Sequence, residues 1–447
     1  MANWRQAGRV LQALRESCGW SVPMLAVELE AQARAIGRQL TNRESLIRRI
    51  YDWEAGGHRP RDYYILFILV YASDQELAAR TIASGSQLDR LMGALKMMGV
   101  PVNRRKFLLS SAALAAGVAG VPAVATDLEG QQRLAWMLKH PRSVDLPTVA
   151  YLGQQAVSLL KQNEAMPSTS LLPAAIQQLE QVTLLREHAP AGAIQHGIAA
   201  VEAQSATLMG QLVWDVSGQR DHAAAGRYYE QAIHAAAGTK EGWAEAFPRL
   251  FQGFLTIYGH KNTKAGLDLA TRAALRAGDG SSHVIGGWAW ALTGVANARL
   301  GHERPARVAL ERGAVHMAKV QPDDPIFGVF TTEELGSFRG ACHLYLADPK
   351  RAQVVLGQTA QSLGAGWEKN KAVVLGDLAK AFIYQGDPEQ AAAVLHQSID
   401  LVERTRSAAG LRRVFKAGWQ LRPWRHEPFV QDVQDRLLAL GCAVPPQ

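Results

Sequence analysis

Alanines at positions 225, 265, 306, 352 and 391 recur at intervals of about 40 residues. The residues around the last four recur with them. Twelve positions earlier stand Gly253, Gly294, Gly340 and Ala379, and five positions earlier stand His260, Gly301, Ala347 and Gly386. Four positions later stand Leu269, Leu310, Leu356 and Leu395. A repeat of this length is one supersecondary unit that cannot bury its apolar side alone, so neighbouring units must stack. Strand signals are scarce from Asp127 onward, and Ala/Leu helical periodicity is broken only by Pro- and Gly-rich stretches at 141–147, 167–173, 190–192, 278–282 and 322–325. The pattern predicts an all-α body over 131–447. Its small residues let the two helices of a unit approach closely, and the following Leu fills the gap.

The same offsets resemble the tetratricopeptide repeat, most clearly in FIYQGDPEQAAAVLHQSI (382–399). The resemblance implies an α-solenoid whose first helices line an inner surface. Seven positions before each anchor stand Tyr258, Arg299, Tyr345 and Tyr384. Trp288, Glu334 and Lys380, with Phe254 and Ser337, fall on the same expected face. Tyr and Arg at one offset suit a surface for a peptide, small molecule or protein, although aromatics at helical spacing also serve as plain packing.

The net charge is +8, from 48 basic and 40 acidic residues, and most of the excess lies in the first quarter of the chain. A basic module on a near-neutral body is the electrostatic outline of a nucleic-acid binder. Three helices are expected there. Val10, Leu11, Leu14 and Cys18 form the stripe of the first, and Ser21 caps a second with Val22, Leu25, Ala26 and Leu29 on one face. Thr41-Asn42-Arg43-Glu44 reads as a capping box opening a third, which Gly56-Gly57 ends. On that helix Leu46, Ile50 and Trp53 share one side and Arg48 points away from them.

The segments LRESCGWSVPMLAVEL and SLIRRIYDWEAGGHRPRDYY resemble the lambda-repressor-like (XRE) helix-turn-helix family over about residues 5–72, with a longer and more basic stretch at 30–40 than that family's tight turn. The resemblance implies that the third helix enters the major groove of a double-stranded operator, with the protein as a homodimer. Arg43, Ser45 and Arg48 become candidates for reading bases, with Thr41 and Asn42 at the helix start. Arg34, Arg38, Arg49, His58, Arg59 and Arg61 become candidates for phosphate contacts.

Between the modules, NRRKFLLSSAALAAGVAGVPAVA (103–125) has the form of a twin-arginine export signal, but it lies about a hundred residues into the chain. Its apolar run, 107–125, is rich in Ala, Gly and Ser and contains Pro122, which points to a packing or linker helix rather than a span. Cys18, Cys342 and Cys442 make neither a disulfide framework nor a zinc site, and a reducing compartment follows. HExxH, CxxC and phosphate-loop motifs do not occur; GAGWEKNK (364–371) lacks the Gly-Lys-Ser/Thr element. The expectation is therefore an all-α cytoplasmic regulator without enzymatic activity or cofactor. It comprises a helix-turn-helix bundle (1–72), a helical linker (73–130) and a tetratricopeptide-like α-solenoid that senses a signal (131–447). The alternative is a repeat scaffold for a protein partner, held at a membrane through 107–125.

Overall fold

The computed structural model describes residues 4–17, 20–35, 40, 42–55, 57, 127–239, 241–278 and 281–443. Every regular element among them is helical. The chain divides into two compact units, Met1–Pro122 and Ala123–Gln447. The expected linker lies outside the described residues as far as 126, and with it the whole 103–125 segment; its last residues, 128–130, open a helix of the second unit. Among the described residues no helix is long and apolar enough to cross a membrane.

In the first unit α1 (Trp4–Ser17) and α2 (Val22–Ala35) both pack on α3 (Arg43–Glu54). Ser21 Oγ accepts the Met24 N–H at 3.4 Å, so α2 starts where its cap residue stands. Leu11, the α2 face of Val22, Leu25, Ala26 and Leu29, and the α3 face of Leu46, Ile50 and Trp53 are all buried together. Each fully buried Leu or Ile contributes about 1.5–3 kcal/mol, enough for three short helices that would be marginal alone. Gly8 passes so close to the Trp53 and Glu54 carbonyls that a β-carbon there would overlap backbone. This crossing sets how near α1 comes to the end of α3.

The second unit opens with α4 (Leu128–Lys139), α5 (Leu146–Ala165) and α6 (Ser168–His188). The pairs α7/α8 (Ala193–Val216, His222–Ala236), α9/α10 (Gly242–Phe254, Thr263–Ala277) and α11/α12 (His283–Arg299, Glu303–Met317) follow. Then come α13/α14 (Thr332–Tyr345, Pro349–Ser362), α15/α16 (Glu368–Tyr384, Pro388–Thr405) and the closing α17 and α18 (Ala408–Gln420, Pro428–Ala443). Each helix packs on the next in chain order, and first helices of neighbouring pairs also touch.

The repeated small residues do what their spacing predicts. Ala225, Ala306, Ala352 and Ala391 are buried in the first turn of the second helix of their pair. Leu310 packs over Gly294 and Leu356 over Gly340, in space that a β-carbon would take. The α9/α10 pair departs by one residue. A π-turn at Leu255–Gly259 lengthens the first helix, so Gly266 rather than Ala265 is the buried anchor facing Gly253. The left-handed turn residue shifts with it. It is Lys261 (φ 56°), five before Gly266, where the three later pairs use Gly301, Ala347 and Gly386 at the expected position. Second helices start on a short side chain: Asp221, Asn262, Asp348 and Asp387 each accept a first-turn N–H at 2.8–3.1 Å. At the matching position of α12 stands His302, whose side chain makes no such bond.

Candidate functional site

The first unit presents the outer face of α3. Its cap is Asn42, whose Oδ1 accepts the Ser45 N–H at 2.9 Å, so the Thr41–Glu44 capping box is corrected to a start one residue later. With Leu46, Ile50 and Trp53 buried behind, Arg48 and Arg49 stand exposed in front and Ser45 is half-buried. Arg43 is committed to an ion pair: its Nη2 lies 2.6 Å from Glu30 Oε2, on α2. This pair ties the first turn of α3 to α2. Thr41, Arg38, His58, Arg59, Arg61 and the Arg34 side chain lie outside the described residues.

The second unit holds a partly open cavity of about 230 Å³. One wall is aromatic. Trp288 meets Phe251 edge-on at 5.2 Å and Phe254 at 6.1 Å, stacks flat on Phe330 at 5.0 Å, and Phe254 meets Phe338 at 6.3 Å. At the end of this wall Tyr258 stacks on Phe254 at 6.1 Å. The Arg299 guanidinium then lies over two rings, 5.2 Å from the Tyr258 centroid and 5.3 Å from the Tyr345 centroid. Three of the four residues that share the repeat offset are thus one stack. The fourth is not: Tyr384 is 48% exposed and its hydroxyl accepts from Gln420 at 3.3 Å.

Two ion-paired nodes tie the polar wall together. Lys369 Nζ, on α15, donates to Asn163 Oδ1 (3.0 Å), Ser168 Oγ (2.7 Å) and Asp215 Oδ2 (3.0 Å), on α5, α6 and α7. Asp215 Oδ1 accepts the Ala408 N–H at 2.8 Å, at the first turn of α17. The opening helices of this unit are thereby joined to its closing helices. In the second node Asp377 receives Arg413 at 3.1 Å and Lys380 at 3.6 Å. Lys380 is buried on that carboxylate, which corrects its expected place as a ligand contact on the open face.

Three charged groups on the wall have no opposite charge in an ion pair. Glu334 is buried, accepting the Thr331 N–H at 2.9 Å and the Asn370 side chain at 2.7 Å. Burial, with Glu164 beside it, pushes its carboxyl well above the usual range. Burial raises the Glu164 carboxyl too, and Asp215 adds to this while Lys369 opposes it. Each carboxyl thus makes the other harder to ionise. The third group is Arg412, exposed on α17, whose pKa is lowered by partial burial and by neighbouring Arg413.

Of the residues expected from the repeat register, Tyr258, Trp288 and Glu334 line the cavity, as do Phe254 and Ser337, and Arg299 and Tyr345 adjoin through Tyr258. Sequence reasoning missed Lys369, Asp215, Glu164 and Arg412. The one local signal for the last was the Arg412-Arg413 doublet on an amphipathic helix. No protein-family model matches the chain, and no curated protein matches it either.

Proposed function

We propose that the chain is a sequence-specific DNA-binding transcriptional regulator of the lambda-repressor-like type. It acts as a cytoplasmic homodimer, and its tetratricopeptide-like body binds a small signal in the aromatic-walled cavity rather than catalysing a reaction. The observation that carries this reading is α3. It is a short helix with a fully buried Leu46/Ile50/Trp53 back, a cap at Asn42 that fixes its start, and Arg48 exposed on the opposite side. A helix so held can lie in a major groove and offer a guanidinium to the O6 and N7 of a guanine. The aromatic and charged cavity favours a sensor over a bare scaffold, because a scaffold needs an accessible outer surface and not an interior lined with titrating groups. The experiment is to sequence genomic fragments retained by the purified full chain. A recovered inverted-repeat motif supports the reading, and retention without any enriched motif gives the repeat scaffold instead.

A further inference from the structure

We propose that the cavity takes a small organic anion charged at one end only, with its carboxylate or phosphate head at Arg412 beside Tyr258, Arg299 and Tyr345 and its apolar body along Phe254, Trp288 and Phe338. This deepens the sensor reading above and rests on it only for its biological role.

The head group follows from uncompensated positive charge. Arg299, Arg412, Arg413 and Lys380 all belong to this end of the wall, and Asp377 is already shared between Arg413 and Lys380. Arg299 and Arg413 both bear on Arg412 as like charges. Arg299 lies over the Tyr258 and Tyr345 rings, and among the described residues these ring contacts are its interactions, with no hydrogen bond or ion pair using its N–H donors. A guanidinium held this way is a preformed fork for a planar or tetrahedral oxyanion. Arg412 and Tyr345 are exposed, so a ligand reaches this end from solvent.

The body follows from the aromatic wall and the size. About 230 Å³ is less than the roughly 300–1,000 Å³ of sites for drug-sized ligands, and it suits one ring with a short arm. Trp214 also lines the cavity, is 7% exposed, and its buried Nε1 has no hydrogen-bond partner among the described residues. An indole donor left over in a buried wall is a place for an acceptor on the ligand. Orientation comes from the carboxyl pair on the same cavity. A second anionic group reaching Glu164 and Glu334 would meet like charge or force both carboxyls to hold protons. Dianions with charges at both ends are therefore disfavoured.

The test is calorimetric titration of the full chain with 3-phenylpropionate, phenyl phosphate, inorganic phosphate, phenethylamine and phenylene diacetate. The two aryl probes charged at one end, 3-phenylpropionate and phenyl phosphate, should bind, and the tighter of them identifies the head. Inorganic phosphate, phenethylamine and the diacetate should bind at least about tenfold more weakly. Arg412→Gln should weaken the aryl anions by a similar factor and Arg412→Lys by less, since a point charge keeps attraction but loses the fork. Among the described residues Arg412 makes no hydrogen bond or ion pair, so its replacement tests binding rather than folding. Phenethylamine binding as tightly as phenylpropionate, full affinity in Arg412→Gln, or no binding of either aryl anion overturns the proposal. The same preparation is assayed for a DNA motif. A motif without anion binding removes this site and leaves the regulator, whereas anion binding without a motif does the reverse.

Discussion

Arg15, near the end of α1, and Glu54, the last residue of α3, form a two-pronged ion pair: Nε to Oε1 at 2.7 Å and Nη2 to Oε2 at 2.9 Å. Both side chains are buried, and Arg15 Nη1 also donates to the Trp20 carbonyl at 2.7 Å. One residue therefore fixes the far end of α3 and the start of the turn into α2. Removing one member leaves a buried charge without its opposite, which costs about 3–5 kcal/mol. Glu54→Ala should unfold the first unit at a markedly lower temperature, read by circular dichroism, and abolish motif-specific DNA retention with it. Unchanged melting would show the pair to be dispensable.

Arg48 and Arg43 should separate in DNA binding. Arg48 is exposed with no partner among the described residues, whereas Arg43 already grips Glu30 at 2.6 Å. Arg48→Ala should cost about 1–3 kcal/mol on the recovered motif and far less on random DNA. Arg43→Ala should cost less on the motif than Arg48→Ala does. Equal loss on motif and random DNA for Arg48→Ala, in a quantitative gel-shift series, would take it out of base reading.

His302 breaks a rule that its counterparts Asp221, Asn262, Asp348 and Asp387 obey. It is exposed at the start of α12, so replacement meets no packing. His302→Asp should raise stability by about 0.5–2 kcal/mol through the missing cap and the favourable end of the helix dipole. Denaturant midpoints of the two chains decide it.

Much of this was written locally in the sequence, and what was not has a physical cause. The buried faces of α2 and α3 were legible because a helix repeats every 3.6 residues and Val22, Leu25 and Leu29, like Leu46, Ile50 and Trp53, keep to one side. The cap of α3 was displaced by one because Thr41 and Asn42 are both competent, and only the helix axis chooses between them. The π-turn at Leu255–Gly259 moved an anchor from Ala265 to Gly266, since one extra residue inside a helix leaves no mark in composition. Tyr384 shares the repeat offset but not the stack. Within the site, Lys369 and Asp215 lie 154 residues apart, and no periodicity connects them.

Glu334 should make stability depend on pH. Its carboxyl holds a proton to higher pH in the folded protein than in the unfolded chain, because of burial and of Glu164. The contribution is therefore fully present below the ordinary carboxylate range and is lost as pH rises from that range through the raised folded value. Glu334→Gln keeps an acceptor for Thr331, and its new amide can donate to Asn370 Oδ1, which has no partner now. Between pH 5 and 8 the wild-type chain should lose on the order of 1 kcal/mol more than Glu334→Gln. Parallel stability curves would remove Glu334 as the source.

The bonds from Lys369 to Asn163, Ser168 and Asp215 work as a clasp. In a linear stack of helix pairs each pair leans on its neighbours alone, and the ends fray first. Here a late helix is buttoned to three early ones, so an end pair cannot peel away without opening the clasp. Protection against amide exchange from α5 to α17 should then be lost in one cooperative step and be nearly level along the array. The same clasp makes folding wait for a contact across 154 residues, which orders events: the pairs form first and the cavity closes last.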